Sequence, residues 1–553
     1  METTSFPSVW NKILSSVEKV TTGFDLTWQI RRRSINTQLV VLFIFQIIEP
    51  HTSGGYSSVL QRMWQKFKGR FAGRPRQATP VTQSSMHEAR QKVDESVFQL
   101  INDKLFEQAE KRFLTAELMW FGRRLFAVDG SKINLPPTLF SQGFNIITSR
   151  PENPQGLLSC CYNIQSKMPF DFSLDTHGNE RESAAQHLKK LGNSDVVVYD
   201  RGYFSFPLLQ KHWESGVEAI FRLGSSTFPE IQAFMMNLGG PSDLIIEINP
   251  SENAARSIRK RHPGIKIEPL KLRLIRYYIG ENVFFLGTTV IAKEIPAEAF
   301  PDVYHGRWSV EEFYKIPKSF LEVENFHSKN IRGVKQELYA SLVMVSIARI
   351  LANDAEKSLN KPKKSIKKII EAEKSLNKTE DPIPKITGAK KFLNKPKEHT
   401  PEITGVRKYL NKKKEPMPEF NDGEKSQNSL KETTLGLNGG KKSLSKAESL
   451  TQEGKKTGLK VMSQIDIQKS VIEKIQVNFK HALSVVFQNF TRILFPLDKS
   501  TIPAFLKRLL IKISAIKQKV RDGRSYVRRR KSPLLGFRNE GNYKKPALQL
   551  IIA

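Results

Sequence analysis

Cysteine is almost missing from this chain: there are two in 553 residues, and they are neighbours, Cys160 and Cys161. Adjacent cysteines seldom join to one another, and no cysteine or histidine set recurs at metal-ligand spacing. Disulfide-stapled and zinc-stapled architectures are thereby set aside, and a reducing cytoplasm fits. Long apolar runs are scarce too. The one membrane candidate, LVVLFIFQII at 39–48 behind Arg31, Arg32 and Arg33, has ten residues and contains Gln46, against the roughly 20 needed to span a bilayer. It also lies too far from Met1, and lacks the small-residue cleavage site, for a secretory signal. The run reads as a buried helix, and no membrane partner is expected. Acidic residues are the third shortage: 55 Asp and Glu face 88 Lys and Arg, a formal net charge of +33. An excess of that size repels itself unless a polyanion neutralises it, nucleic acid first and an anionic membrane second.

The length allows two or more domains with a sizeable core. Residues 1–85 read as a small helical domain, because 9–20 and 57–67 carry apolar residues at helical spacing around a break at Ser53, Gly54 and Gly55. Basic residues at Arg31–Arg33 and across 66–76 give it the character of a DNA-end-binding module; a plain helical cap on the next domain is the alternative. Residues 71–84, rich in Gly, Pro, Gln, Ser and Thr, read as a linker.

From residue 86 the pattern changes. An amphipathic helix over 88–113 precedes short apolar runs at 124–129, 157–164, 170–175, 195–200 and 218–223. Helical segments fall at 180–191 and 206–215. Three strands, a helix, a strand, a helix and a strand is the order of a ribonuclease-H-like α/β fold, a mixed sheet flanked by helices, here over 86–223 and 297–355. Asp129 ends the first strand, in FAVDGSKINLP, and Asp200 ends the fourth, in VVVYDRGYFS. Those two strands are neighbours in such a sheet, so the carboxylates would meet, although an aspartate before glycine is also a common turn former. His177, Glu180, Arg181 and Glu182 read as the start of the following helix rather than as catalytic groups. Residues 224–296 hold alternating strand-like runs at 244–248, 270–279 and 282–290, a β-rich insertion with a basic edge at Arg256, Arg259, Lys260 and Arg261.

The most informative stretch is YHGRWSVEEFYKIPK, 304–318. Tyr304, Arg307, Glu311 and Lys318 lie three, seven and fourteen residues on from the first, and on an α-helix they fall within about 60° of one another. Pro317 interrupts that helix, since it removes a hydrogen bond and disfavours helix in the residue before it. The helix is therefore expected to kink or stop near Ile316, and Lys315, on the same face, is an alternative cation to Lys318. The spacing Y-x2-R-x3-E-x6-K resembles that of the insertion-sequence-4 family of DDE transposases. DRGYFS at 200–205 and HGNERESA at 177–184 match the same family's second aspartate region, and the likeness continues to about residue 355.

The resemblance implies a bacterial, cytoplasmic, nucleoid-associated enzyme that cuts and pastes a transposable element by metal-dependent cleavage and strand transfer. It implies that Asp129, Asp200 and Glu311 are catalytic and hold two Mg²⁺ (or Mn²⁺) ions. Asp129 and Asp200 would share one ion, and Glu311 would hold the second with one of them. Tyr304, Arg307 and Lys318 or Lys315, with Arg201, would grip DNA phosphate. Partners would be double-stranded DNA, as terminal inverted repeats and target, and a second copy of the chain in a synaptic homodimer. Two other readings stay open: a catalytically decayed DNA-binding protein, and a ribonuclease-H-like nuclease without strand transfer.

Beyond Glu356 a seventeen-residue repeat begins, with Leu359, Leu376, Leu393 and Leu410 in EKSLNK, EKSLNK, KKFLNK and RKYLNK. Its units, over 356–457, are too poor in apolar residues to offset the entropy of ordering and read as a disordered lysine-rich insertion. Counted from residue signs, that insertion holds +11 of the +33, so the basic character does not depend on it. Residues 458–553 return to helices, as in IQVNFKHALSVVFQNF, and end in a basic tail at 522–533.

Overall fold

The computed structural model describes residues 5–29, 34–50, 54–71, 76–145, 153–176, 178–224, 228–292, 294–360 and 475–519. Expectations for Arg31–Arg33, His177, most of the repeat and the basic tail lie outside these residues. All of the described residues belong to one of the chain's two units, Met1–Lys361 with Glu473–Ala553.

Five helices come first: α1 (Phe6–Trp28), α2 (Thr37–Ile47), α3 (Tyr56–Phe67), α4 (Gln83–Lys92) and α5 (Ser96–Phe113). The apolar run at 39–48 is α2, buried almost completely. The single helix expected over 88–113 is two. Val93 turns extended after α4, and the Asp94 carboxylate accepts from Ser96 N at 3.0 Å and Ser96 Oγ at 2.6 Å. A side chain that satisfies the free donors of a new first turn makes a restart cheaper than continuation.

The sheet follows, with β1 (Arg124–Asn134), β2 (Gln155–Asn163), β3 (Met168–Asp175), α6 (Glu180–His187), β4 (Asp195–Tyr199), α7 (Phe206–Ser215) and β5 (Glu218–Arg222). Next are α8 (Pro229–Met236), β6 (Asp243–Ile248), α9 (Glu252–Arg261), β7 (Leu270–Ile279) and β8 (Asn282–Thr288). The strand order is β3-β2-β1-β4-β5-β8-β7-β6. β1, β2 and β3 are antiparallel, while β1, β4 and β5 run parallel. The strands of the 224–296 region therefore extend the main sheet instead of forming a sheet of their own. β8 covers the edge that β5 would otherwise expose; Thr288 Oγ1 donates to Ala219 O at 2.6 Å and Ala219 N to Thr289 Oγ1 at 2.8 Å.

The chain then forms α10 (Phe300–Gly306), α11 (Trp308–Lys315), α12 (Ile331–Leu359), α13 (Phe479–Leu494) and α14 (Ile502–Ser514), with short strands β9 (Ile475–Val477) and β10 (Lys517–Lys519) paired to each other. Between Leu338 and Leu351 helix α12 is buried almost all round, with Arg349 the one charged residue in that stretch, which suits a helix packed on most sides. It is the one described helix long and apolar enough to cross a membrane, and 89% of its most apolar window is buried within the protein. It packs against α2, α5, α13, α14 and β3. Trp10 Nε1 donates to Ile493 O at 2.9 Å, which fastens α1 to α13. Asn360 and Ile475 exchange two hydrogen bonds of 2.8 Å. Residues 360 and 475 thus lie side by side, and loop-closure entropy grows only slowly with the length of chain between two such points.

Candidate active site

Register and pleat bring Asp129 and Asp200 together. β1 and β4 pair in parallel, Phe126 with Val197 and Ala127 with Val198, so two residues further on Asp129 comes level with Asp200. Alternate residues of a strand share a face. Leu125, Val196, Val198 and Ile220 share one apolar cluster with Val303 and Tyr304 of α10. Asp129 and Asp200 continue the Leu125 and Val198 rows, so both sit at the rim of the face that α10 and α11 cover.

Contrary to the expectation from the sequence, Asp129 does not end its strand. β1 runs on to Asn134, held by its ladder with β2 from Asp129↔Cys160 to Asn134↔Gln155. The glycine that suggested a turn serves another purpose. A Cβ at Gly130 would lie 2.9 Å from Leu157 Cδ1 and 3.0 Å from Glu180 Cγ, so any larger residue would have to push the Leu157 and Glu180 side chains aside. Asp200 does leave its strand, and caps a short turn by accepting from Arg201 N at 2.7 Å.

Glu311 arrives on α11. The Tyr314 hydroxyl, one turn on, donates to Asp129 O at 2.7 Å, with Leu158 O at 3.0 Å, and so pins that helix to β1 and β2. The α-helix stops at Lys315 and passes into a π-helical turn over Ile316–Phe320, in line with the break expected at Pro317. The two candidate lysines part there. Lys315 is exposed and ion-paired with Glu312. Lys318 is half-buried against the sheet, with Nζ 2.5 Å from Lys132 O, and burial lowers its pKa while Glu324 opposes this.

Arg307 stands among the carboxylates. Its Nη2 donates to Glu311 Oε1 at 2.6 Å. Burial works against its charge, but the Glu311 hydrogen bond and the charges of Tyr304, Glu311 and Asp200 outweigh it and raise its pKa. The Tyr304 hydroxyl is buried beside Arg307 and Asp200, and burial, the largest influence, raises its pKa. Neither that hydroxyl nor Arg307 Nε has a hydrogen-bond partner of ordinary geometry. A buried hydroxyl and a neighbouring guanidinium N–H, both lacking an acceptor, suit a phosphate oxygen. Arg201 is exposed, with its Cδ close to Gly224.

Glu180, read from sequence as helix-starting only, belongs to the cluster. It is half-buried, its pKa is raised by burial and by Asp200, and it in turn acts on Asp129. The signal that could have found it is the tight Gly130 contact, which no linear pattern encodes. The donor set is all oxygen, as hard divalent cations prefer, and it suits such an ion in kind. Among the described residues no three His, Cys, Asp or Glu stand ready as a metal cage; Glu311 faces Arg307 instead.

Burial lifts the Asp129 pKa from 3.8 to about 6, with Glu180 and Glu311 adding to the rise while the Gly130 backbone and Arg307 oppose it. For a carboxyl raised on folding, the folded state holds the proton more tightly. Its charge thus costs nothing well below pH 4, costs more as pH climbs to about 6, and costs its full amount above that. Asp129→Asn should therefore stabilise the metal-free protein by up to about 3 kcal/mol at neutral pH, with the gain shrinking in acid. Thermal unfolding of both proteins from pH 4.5 to 7.5 tests this; a pH-independent difference contradicts it.

The family model and the curated relatives that this chain matches are transposases. Residues 120–347 match the family described as the transposase DDE domain, a span holding all three carboxylates. The chain is 25% identical over 245 residues to transposase InsG for insertion sequence element IS4 of Escherichia coli K12, covering 42% of this chain and 52% of that protein. It is 23% identical over 206 residues to a probable transposase for insertion sequence element IS5377 of Geobacillus stearothermophilus, covering 37% and 51%. The chain thus spans about half the length of the curated relatives it matches. A solved piggyBac transposase synaptic complex with hairpin DNA aligns over 66% of this chain and 77% of that one, at 10% identity and a TM-score of 0.32, too low to bear on the fold.

Proposed function

We infer that this chain, which belongs to the DDE transposases of the insertion-sequence-4 type, cuts the ends of a DNA element and joins them to a target. One observation carries the reading: Asp129 on β1 and Asp200, just past the end of the parallel strand β4, both lie two residues beyond the pair Ala127↔Val198, and the helix that presents Glu311 is pinned to Asp129. The antiparallel β3-β2-β1 and parallel β1-β4-β5 arrangement supports a ribonuclease-H-like core.

Asp129, Asp200 and Glu311 are the residues that would hold divalent magnesium or manganese, with Glu180 close by. Such ions, when bound, activate the attacking hydroxyl and stabilise the leaving oxygen of a phosphodiester. Arg307 and Tyr304 bind the phosphate and orient it for in-line attack. Arg307 has one guanidinium for two acids: once phosphate accepts from it, Glu311 is released toward the other two carboxylates. DNA binding then completes the acidic cluster, and the enzyme is quiet without its substrate. Lys318, fixed against β1, fits the phosphate-gripping role better than Lys315, whose charge Glu312 already meets. The DNA partners are the element's terminal repeats and a target duplex, and two copies of the chain pair the two ends.

The test is a Mg²⁺-dependent assay on duplexes carrying the element's own ends. Wild type should give cut strands and joined products, and Glu311→Ala neither. Equal cutting by both proteins would remove the assigned role, while cutting without joined product would make the chain a nuclease only.

A further inference from the structure

A groove of about 1130 Å³ opens beside Asp200, on the α6 and α7 side of the turn that follows it. Its volume exceeds the roughly 300–1,000 Å³ usual for small-molecule sites, so its shape suits a chain-like ligand. Basic groups line it from different elements: Arg181 on α6, Arg201 on the turn after β4, Lys211 on α7 and Arg261 on α9. Arg181 is fixed in place, its Nε donating to Gly202 O at 2.8 Å. Glu182 is the acidic residue in the lining, and apolar rings from Phe204 and Phe228 also line it. Those two rings meet edge to face at 6.1 Å, and Phe204 rests on Phe221 of β5 at 5.5 Å.

We propose that this groove is a binding site for single-stranded DNA. The proposal rests on the reading that the chain acts on DNA, and adds a strand form and a location to it. Cationic groups distributed along a groove can follow a phosphate backbone, and aromatic rings between them offer faces on which bases stack. Phe204 and Phe228 are half-buried against the core; their exposed parts meet unpaired bases, whereas a duplex keeps its base faces within its own stack. Arg201, the residue after Asp200, lines the groove, so a strand lying in it passes close to that candidate carboxylate. The groove therefore takes a strand freed from its complement at the cut site.

The experiment uses the full chain and a fluorescein-labelled mixed-sequence 12-mer, single-stranded or annealed, in fluorescence anisotropy across a salt series. Lys211→Glu with Arg261→Glu reverses two charges outside the acidic cluster and outside the sheet. The double variant should bind the single strand at least ~10-fold more weakly, with a log–log salt slope lower by about 1.4, as expected when two phosphates are no longer neutralised. Its affinity for the annealed duplex should change less than twofold. Unchanged single-strand affinity overturns the proposal, and so does an equal loss for duplex, which would make the groove a duplex surface. Circular dichroism and melting temperature matching wild type show that the variant is folded. If element-end cleavage fails in wild type while single-strand binding follows the expected pattern, the transposase reading falls and the groove stands.

Discussion

Asp129→Ala and Asp200→Ala should each lower Mg²⁺-dependent cleavage of an element end by at least about 10²–10³-fold, the loss typical when one group that stabilises transition-state charge is removed. Combining them should cost little more than either alone. Residues that act as one unit are strongly non-additive, and on the proposed reading Asp129 and Asp200, each two residues beyond the pair Ala127↔Val198, share one ion. Losses that multiply in the double variant would mean that each acts in a separate step. Duplex binding should survive in all three variants, because Arg307 and Tyr304 remain; it should even strengthen slightly as negative charge leaves the site. Gel shift in calcium beside the cleavage assay separates the two effects.

The second large effect lies away from the chemistry. Arg90 of α4 is almost fully buried, with Nε on Gln336 Oε1 at 2.8 Å and Nη2 on Gly333 O and Glu337 Oε1, both 2.7 Å. Nη1 donates to the Tyr56 hydroxyl of α3. Glu337 in turn accepts from His327 N at 2.9 Å and Ser328 N at 3.1 Å, in the segment joining the Glu311 helix to α12. Burial raises the Glu337 pKa, but Arg90 and the His327 hydrogen bonds outweigh it and leave the carboxyl below its usual range. Its contribution is thus present at neutral pH and is lost as pH falls through that lowered value. Arg90→Ala strands a buried carboxylate and should cost about 3–5 kcal/mol, read as an earlier midpoint in urea unfolding. Arg90→Ala with Glu337→Gln should recover part of the loss. No recovery would show that the guanidinium serves by packing alone.

Much of this architecture was legible in the sequence because it is local. The apolar strand leading to Asp200, the Y-x2-R-x3-E-x6-K spacing and the proline that ends α11 are all written within a few residues of where they act. The missing parts are non-local. Whether Asp129 ends a strand or sits within one depends on β2, which pairs with it from thirty-one residues away. The Gly130 signal looked like a turn because sequence cannot show that Glu180 presses on it. The extension of the sheet by β6, β7 and β8 turns on which strand meets β5, and alternation alone does not say. The split at 93–95 was written locally, in Asp94 two residues before Ser96, but an amphipathic pattern running through it outweighed the cap. The Arg307–Glu311 pair is implied by the i, i+4 spacing, but spacing alone does not say whether the two residues meet each other or separate ligands.

On this reading Asp129 and Asp200 hold one divalent ion between them, and Glu311 joins when DNA engages Arg307. Anomalous diffraction from crystals of the full chain with Mn²⁺, with and without a cleaved element end, tests it most directly. Manganese should be bound by Asp129 and Asp200, with Glu311 turned from Arg307 onto the metal site only when DNA is present. Manganese bound elsewhere, with those carboxylates bare in the DNA complex, would contradict it.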